Sequence, residues 1–202
     1  MSRYTGPKAR IVRREGLNLF GSEKYNLKKK NYRPGMHGPK GNVSKPSEYA
    51  RQLREKQKLK FMYGVTERQL SNYFKKASKA KDITGNALFK LLEYRLDNVI
   101  FRAGMAKTRN QARQMVSHGL MRVNGQRVKT PSIHVKIGDK FDVIDRAKSS
   151  PLFADLEKQK FAPAKWVKVD YKTLTGEVMR AIEADELEQA ISSSLIVEFY
   201  SK

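Results

Sequence analysis

The first 46 residues lack the regular spacing of apolar side chains that a packed helix or strand requires. Glycine and proline interrupt this segment repeatedly, as in Gly38-Pro39, and these two residue types favour turns over long regular elements. Residues 1–60 hold 17 Lys and Arg against 4 Asp and Glu, so like charges repel one another along the segment. We therefore predict an extended basic arm over residues 1–46 that becomes ordered on an anionic partner, with a disordered tail as the alternative.

The net charge of the whole chain indicates the same kind of partner. The sequence carries 42 Lys and Arg against 20 Asp and Glu, a formal net charge of +22 at pH 7. The excess lies in the first three-quarters, because residues 151–202 hold 7 basic and 9 acidic residues. Such an excess favours a polyanion as the binding partner. The nearly neutral last quarter is expected to have a structural role or to contact a protein.

The residue types that carry most enzymatic chemistry are absent or scattered. The chain has no cysteine, and His37, His118 and His134 lie far apart without metal-ligand spacing. The sequence contains no phosphate-binding glycine loop and no nucleophile motif. It also lacks both the ~18–20 apolar residues of a membrane span and the apolar stretch of a secretory signal. We therefore predict no catalytic residue, metal, cofactor, small-molecule substrate or membrane contact.

Regular structure is predicted from Ser47 onward. Ser47 has the position of an N-cap for a helix over Glu48–Tyr63. Thr66 and Gln69 have the spacing of a capping box, and the apolar residues that follow recur with helical period. These signals predict a small helical domain over residues 47–91.

Residues 92–155 are predicted to combine short helices with strands. The apolar spacing predicts helices over Asp97–Ala103 and Arg109–His118, with Thr108 as the N-cap of the second. Asn124-Gly125 lies between two short apolar runs, which is the strongest short-range signal for a β-hairpin. Alternating residues predict two further strands, over Ile133–Ile137 and Lys140–Ile144.

The remaining residues, 156–202, are predicted to form a C-terminal segment that packs back on the body. A short helix is expected near Ser150–Gln159, followed by strands over Trp166–Tyr171 and Glu177–Ala181. The fold class is therefore α+β, with short helices and a small, mostly antiparallel sheet.

The start of the helix capped by Thr108 is predicted to bind phosphate. Lys107, Arg109 and Arg113 place cations on an exposed face beside the helix N-terminus, where free N–H groups and the helix dipole also favour anions. Cations at this density contact phosphates more often than base edges, although a merely solvated basic face is the alternative. The adjacent hairpin adds three candidates, which are Arg122, Asn124 and Arg127.

The arm offers side chains of a second kind. Guanidinium and aromatic planes stack on unpaired bases as well as contacting phosphate. The side chains of this kind are Arg3, Tyr4, Arg10, Arg13, Arg14, Tyr32 and Arg33.

A long ordered pattern in the middle of the chain resembles the S-four RNA-binding domain. It begins at Leu92-Glu93-Tyr94-Arg95-Leu96-Asp97-Asn98-Val99, continues through residues 108–119 and Val123-Asn124-Gly125, and ends near Gly138-Asp139. Several RNA-modifying enzymes carry the same module, so this pattern alone leaves the function open.

The flanking residues are similar to the S-four family of bacterial and plastid ribosomal proteins. The similar stretches are Arg3-Tyr4-Thr5-Gly6-Pro7-Lys8, Pro34-Gly35-Met36-His37-Gly38 and Ser47-Glu48-Tyr49-Ala50-Arg51-Gln52-Leu53-Arg54-Glu55-Lys56-Gln57-Lys58. Some members of that family hold zinc with four cysteines in the arm, which this chain lacks. The resemblance covers essentially the whole chain and implies an S-four RNA-binding domain over residues 92–155.

The resemblance implies a primary binder of small-subunit (16S-type) ribosomal RNA that nucleates assembly of the subunit body. It further implies contact with the neighbouring ribosomal protein S-five near the path by which messenger RNA enters, and a contribution to translational accuracy. The location would be the small ribosomal subunit in the cytoplasm, or in the plastid stroma for an organellar protein. The candidate RNA-binding residues are Arg3, Tyr4, Lys8, Arg10, Arg13, Arg14, Arg33, Arg51, Arg54, Lys58, Lys107, Thr108, Arg109, Arg113, His118, Arg122, Asn124 and Arg127.

Two other functions fit parts of the sequence. An RNA-modifying enzyme with this module would need a catalytic domain, and the ~50 residues that follow the hairpin region are fewer than an independent domain usually has. A general DNA-binding protein would use the same net charge equally well.

Overall fold

The computed structural model describes residues 4–25, 27, 30–39, 45–154, 156 and 162–201. The chain forms two compact units, the first made of Met1–Phe89 with Glu188–Lys202 and the second of Lys90–Leu187. The boundary expected after residue 91 differs from the first division by two residues. The expected C-terminal segment over residues 156–202 is divided between the units.

The basic arm contributes a helix and buried side chains to the first unit. Helix α1 spans Lys8–Glu15, and its Ile11 and Val12 are buried. Leu19 and Phe20, which follow the helix, are buried as well. The prediction of an extended arm was therefore wrong for residues 8–20. The pairs Ile11-Val12 and Leu19-Phe20 supply enough apolar surface to pack. They do so although the arm lacks a longer run of regularly spaced apolar residues.

Helices α2 (Glu48–Tyr63) and α3 (Glu67–Ala77) begin at the residues that the sequence predicts. The Ser47 hydroxyl accepts a hydrogen bond from the Ala50 N–H at 3.3 Å. Thr66 and Gln69 form the predicted capping box, in which each side chain accepts from the backbone N–H of the other residue. These caps satisfy N–H groups that have no partner within the helix.

The last helix of the chain packs on α2. We number it α9, since it spans Ser193–Tyr200 at the end of the chain. Ile196 is completely buried, and Gln52 donates a hydrogen bond to Glu198 at 3.0 Å. The Tyr200 ring stacks on Phe74 with 4.6 Å between ring centroids. The C-terminal helix α9 therefore shares one core with α2 and α3.

Next to this core, Lys56 and Lys60 form ion pairs with Glu67 at 2.8 and 3.2 Å. The Lys56 ammonium also lies 4.4 Å from the centroid of the Phe199 ring. Burial opposes ionisation of Glu67, but the hydrogen bonds from the two lysines outweigh this effect and lower the pKa of the carboxyl. Burial, together with the charge of Glu67, raises the pKa of Tyr200.

Helix α4 (Thr84–Glu93) begins in the first unit and ends in the second, and α5 (Leu96–Arg102) and α6 (Arg109–Ser117) belong to the second unit. Thr108 caps α6 as predicted, because its hydroxyl accepts from the Gln111 N–H at 3.2 Å. Apolar residues of α5 and α6 form the core between them, and Leu96, Val99, Ile100, Ala112 and Val116 are completely buried.

A five-stranded antiparallel sheet completes the second unit, which confirms the α+β class. Its strands are β1 (Met121–Val123), β2 (Gln126–Val128), β3 (Lys140–Val143), β4 (Val167–Asp170) and β5 (Thr175–Val178), in the spatial order β2-β1-β3-β5-β4. Asn124 and Gly125 have φ values of 49° and 79°, as the predicted type I′ hairpin turn requires.

The strand predicted over Ile133–Ile137 is not formed. Its one β pairing with the described residues is an isolated bridge between His134 and Arg95, and the Val135 N–H donates to the Tyr94 carbonyl at 2.9 Å. The segment therefore satisfies its backbone on the connection between α4 and α5 instead of joining the sheet.

The helix predicted near Ser150–Gln159 is observed in part. The structure has α7 (Asp145–Lys148) and α8 (Pro151–Ala154), while residues 155 and 157–159 of the prediction lie outside the described residues. In the described part of the chain, no helix combines the length and apolarity needed to cross a membrane.

Candidate nucleic-acid interface

Arg113 was predicted to lie on an exposed face of α6, and this prediction was wrong. The residue is 5% exposed, and its guanidinium lies 4.0 Å from the Asp97 carboxylate. Asp97 also accepts two hydrogen bonds from Arg95, at 3.0 and 2.7 Å, and both of these residues are buried. A buried carboxylate is tolerated only when cations and hydrogen bonds compensate it. Arg113 therefore has a structural role in this conformation.

A second buried carboxylate, Glu93, lies near the start of α6 and contacts side chains of α5. Arg102 donates to it at 2.7 and 2.9 Å, and the Asn98 side chain donates to it as well. Arg109 in turn donates to Asn98 Oδ1 at 2.7 Å and lies 3.9 Å from Glu93. Its guanidinium also stacks 4.5 Å from the Phe101 ring centroid. Arg109 is thus held by internal contacts rather than extending freely into solvent.

Two of the three hairpin candidates are also occupied by internal contacts. Arg122 donates to Asp142 at 2.8 Å and to Asp145 at 3.1 Å. These hydrogen bonds raise the pKa of Arg122, and its charge is locally balanced. The Asn124 side chain donates to Asp139 at 2.8 Å and accepts from the Lys140 N–H at 2.9 Å.

Arg127, the third hairpin candidate, makes no ion pair with a carboxylate of the described residues. It pairs across the hairpin with Arg122, yet among the described residues it donates only to backbone carbonyls, those of Gly119 at 2.8 Å and His118 at 3.4 Å. These carbonyls follow the last turn of α6, where a cation is favoured by the helix dipole. Arg127 and His118 are both exposed.

We call a Lys or Arg uncompensated when no carboxylate of the described residues lies within ion-pair distance. Of the predicted cations in the second unit, Lys107 and Arg127 are uncompensated and exposed. The Thr108 hydroxyl is used in capping α6. Sequence reasoning missed three further exposed, uncompensated lysines, which are Lys129, Lys136 and Lys140. Their position near turns was the one feature of the sequence that could have indicated exposure.

In the first unit, Arg10 and Arg14 of α1 are exposed and uncompensated. Lys8 lies over the Phe20 ring at 5.4 Å, and Tyr4 packs edge-on against Phe61 at 5.3 Å between ring centroids. Arg3 lies outside the described residues.

Arg13 positions the loop that contains Arg33. Its guanidinium stacks 4.6 Å from the Tyr32 ring centroid and donates to the carbonyls of Tyr32 and Arg33 at 3.1 and 3.2 Å. The Arg33 residue itself is exposed. The contacts of Arg13 therefore stabilise the conformation of the arm at residues 32 and 33, whereas Arg33 is exposed to solvent.

The candidates on α2 all have acidic partners. Arg51 lies 3.7 Å from Glu48, Arg54 lies 2.9 Å from Glu15, and Lys58 lies 2.6 Å from Glu55. Exposed uncompensated cations that the sequence reasoning missed lie at the end of α3 and just beyond it, where basic residues are dense in the sequence: Lys75, Lys76, Lys79 and Lys81.

Comparison with known proteins assigns both parts of this chain. Residues 3–93 match the family described as ribosomal protein S4/S9 N-terminal domain, and residues 95–141 match the S4 domain. Small ribosomal subunit protein uS4 of Parabacteroides distasonis is 46% identical over 203 residues, and that of Bacteroides thetaiotaomicron is 47% identical over 206 residues. Each match covers the whole of both chains. The chain belongs to the uS4 family.

Members of the uS4 family are structural proteins of the small ribosomal subunit and not enzymes. The resemblance stated from the sequence is thus confirmed, and so is its non-enzymatic character. The RNA-binding S4 domain and the match over the full length place this chain in the translation machinery. The described residues include no group of three or more His, Cys, Asp and Glu residues that could hold a metal ion.

Proposed function

We propose that this protein is a primary binder of small-subunit (16S-type) ribosomal RNA and nucleates assembly of the subunit body. The observation that carries the proposal is the set of uncompensated cations. Each unit presents exposed Lys and Arg side chains whose charge is not balanced by a carboxylate of the described residues. Phosphate groups are the partner that such side chains fit best.

The first unit supplies the larger share of this charge. It holds 23 Lys and Arg against 8 Asp and Glu, whereas the second unit holds 19 against 12. Binding is therefore expected to depend on phosphate neutralisation by α1, the end of α3 and the loop at Arg33. Lys107, Arg127 and the three lysines near the hairpin turns add contacts from the second unit.

The uS4 family resemblance supports roles in assembly and decoding as part of the proposal. We propose that the protein contacts ribosomal protein S-five near the path by which messenger RNA enters, and that the pair contributes to translational accuracy. The near-neutral composition of residues 151–202, with 7 basic and 9 acidic residues, favours a protein over RNA as the neighbour of this part. The proposed location is the cytoplasm, or the plastid stroma for an organellar protein.

Filter binding of the full chain to the 5′-domain RNA of the small subunit tests this proposal. If ~6–10 phosphates are contacted, affinity is expected to fall by about 10³–10⁵ between 50 and 200 mM monovalent salt. A duplex DNA of equal length is the control and is expected to bind more weakly at every salt concentration. A nearly flat salt dependence, or equal affinity for the DNA, would overturn the proposal.

A further inference from the structure

A cavity of about 490 Å³ lies in the first unit, between α1 and α2. This volume is within the range of small-molecule sites, ~300–1,000 Å³. Four basic side chains line it, together with two aromatic rings and one carboxylate. The lining residues used in the argument are Tyr4, Arg10, Arg14, Glu15, Arg54 and Phe61.

The two ends of the cavity differ in chemistry. Tyr4, which precedes α1, packs against Phe61 near the end of α2. Glu15, the last residue of α1, binds Arg54 near the middle of α2 at 2.9 Å. These two contacts show that α1 runs antiparallel to α2. The aromatic pair therefore lies at one end and the Arg54–Glu15 ion pair at the other.

The cations along the cavity are not equivalent. Glu15 is 3% exposed on its side chain and is fully engaged with Arg54. Arg10 and Arg14 lie one helical turn apart on α1, and in the described part of the chain neither has an acidic partner. Side chains four residues apart on a helix are neighbours on its surface, so the two guanidinium groups can act on the same anion.

Gly6 leaves room for the Tyr4 ring. A Cβ atom at residue 6 would lie 2.6 Å from the Tyr4 hydroxyl and 2.7 Å from its ring carbon. Any side chain there would displace the ring, so glycine permits Tyr4 to fold back towards Phe61. Tyr4 nevertheless remains 41% exposed, which leaves aromatic surface accessible at this end.

We propose that this cavity binds a single unstacked nucleotide, with the base against Tyr4 and Phe61 and the phosphate at Arg10 and Arg14. Base–aromatic stacking and guanidinium–phosphate pairing are the two interactions that such a ligand uses. The inference rests on the proposed RNA binding and assigns it one specific subsite. The same chemistry is offered by an unpaired nucleotide of the RNA and by a free nucleotide.

The free-nucleotide source is tested by titrating the ¹⁵N-labelled full chain with AMP, adenosine or inorganic phosphate. AMP is expected to shift the amide resonances of Gly6 and Ile11 more than either fragment does. The Arg10→Gln/Arg14→Gln variant is expected to lose this response. The matched control, Lys75→Gln/Lys76→Gln, removes two exposed cations of the same unit away from the cavity and is expected to keep it.

The RNA source is tested by ultraviolet crosslinking of the full chain to the 5′-domain RNA, with mass spectrometry of the adduct. A crosslink between Tyr4 or Phe61 and one nucleotide is expected. Tyr4→Leu is expected to weaken RNA binding by about 5- to 150-fold, which corresponds to ~1–3 kcal/mol of base stacking. Tyr4→Phe is expected to retain binding, and Gly6→Val to weaken it because the ring is displaced.

Each outcome decides the proposal. An AMP response or a crosslink at the aromatic pair supports it and identifies the source. Absence of both overturns it, even if the RNA binds normally elsewhere on the protein. A short oligoglutamate that shifts the same amides as strongly as AMP also overturns it, since an acidic peptide would then be the ligand. If the wild-type chain does not bind RNA at all, the proposed function is overturned. The AMP titration would still show whether the cavity binds a nucleotide.

Discussion

In the second unit, Arg95, Arg109 and Arg113 are held among the side chains of Glu93, Asp97 and Asn98. In the first unit, Arg10 and Arg14 form no ion pair with a carboxylate of the described residues. Both groups are arginines on or next to short helices, and a count of charge along the sequence treats them alike. The difference lies in the buried carboxylates. We therefore expect an arginine beside a buried carboxylate to stabilise the fold, and an arginine without one to be available for phosphate.

Removing a buried carboxylate of the second unit is expected to have the largest effect. Asp97→Ala leaves the Arg95 and Arg113 guanidinium groups buried without this partner, so unfolding should become easier by ~3–5 kcal/mol. Urea denaturation followed by circular dichroism measures the change. Asp185→Ala, at an exposed carboxylate of the same unit, is the control and should stay within ~0.5 kcal/mol. Equal stability of the two variants would contradict the structural role of the ion-pair network.

The packing of the arm gives the next largest effect. Leu19 is 2% exposed, so Leu19→Ala is expected to cost ~2–5 kcal/mol by leaving a cavity. Met36→Ala is the control, because Met36 belongs to the same arm and is 85% exposed. Thermal and urea unfolding of both variants check this expectation. A Leu19→Ala protein that unfolds like the wild type would restore the extended arm that the sequence predicts.

Within the first unit, uncompensated and paired cations are expected to differ in RNA binding. Arg10→Gln/Arg14→Gln should make the fall of log K with log[salt] less steep. The magnitude of the slope should decrease by ~2, since each phosphate contact contributes ~1. Arg51→Gln/Lys58→Gln removes two cations that pair with Glu48 and Glu55 and should change the slope less. Filter binding to the 5′-domain RNA provides the slopes. A larger change for the paired cations would reverse the assignment.

The smallest expected effect is a pH dependence of the first unit. The pKa of Glu67 is lowered from its usual 4.5 in the folded protein, so ionised Glu67 stabilises the fold above about this pH. The stabilisation should be lost as the pH falls through the lower, folded-state pKa. Melting temperatures of wild type and Glu67→Gln should differ by a constant amount above pH 4.5 and converge below it. A difference that grows on acidification would contradict this interpretation.

Local signals in the sequence predicted local structure well. The caps at Ser47, Thr66 and Thr108 and the hairpin turn at Asn124-Gly125 are formed as expected. In each case a side chain bonds a backbone group two or three residues away, or a turn requires positive φ, so the few residues involved determine the conformation.

Features that depend on distant residues were not predicted. The segment Ile133–Ile137 alternates like a strand, but its backbone bonds to the connection between α4 and α5. Arg113 has the sequence surroundings of a phosphate ligand, yet its burial beside Asp97 depends on the packing of α5 against α6. The position of Asp97 and Glu93 among buried apolar residues was the signal available for this network. The RNA-binding role of the individual candidate residues remains a prediction.

The hairpin offers the most direct test, because Arg122 and Arg127 are cross-strand partners that differ in their neighbours. Arg122 binds Asp142 and Asp145, while in the described part of the chain Arg127 donates to backbone carbonyls alone. The decisive measurement is the salt slope of 5′-domain RNA binding for Arg122→Gln and Arg127→Gln, with the unfolding of each variant followed in parallel. The account predicts a slope lower by ~1 for Arg127→Gln and an unchanged slope for Arg122→Gln. An equal or larger loss of slope for Arg122→Gln, with folding intact, would contradict the claim that pairing with a carboxylate separates structural cations from binding ones.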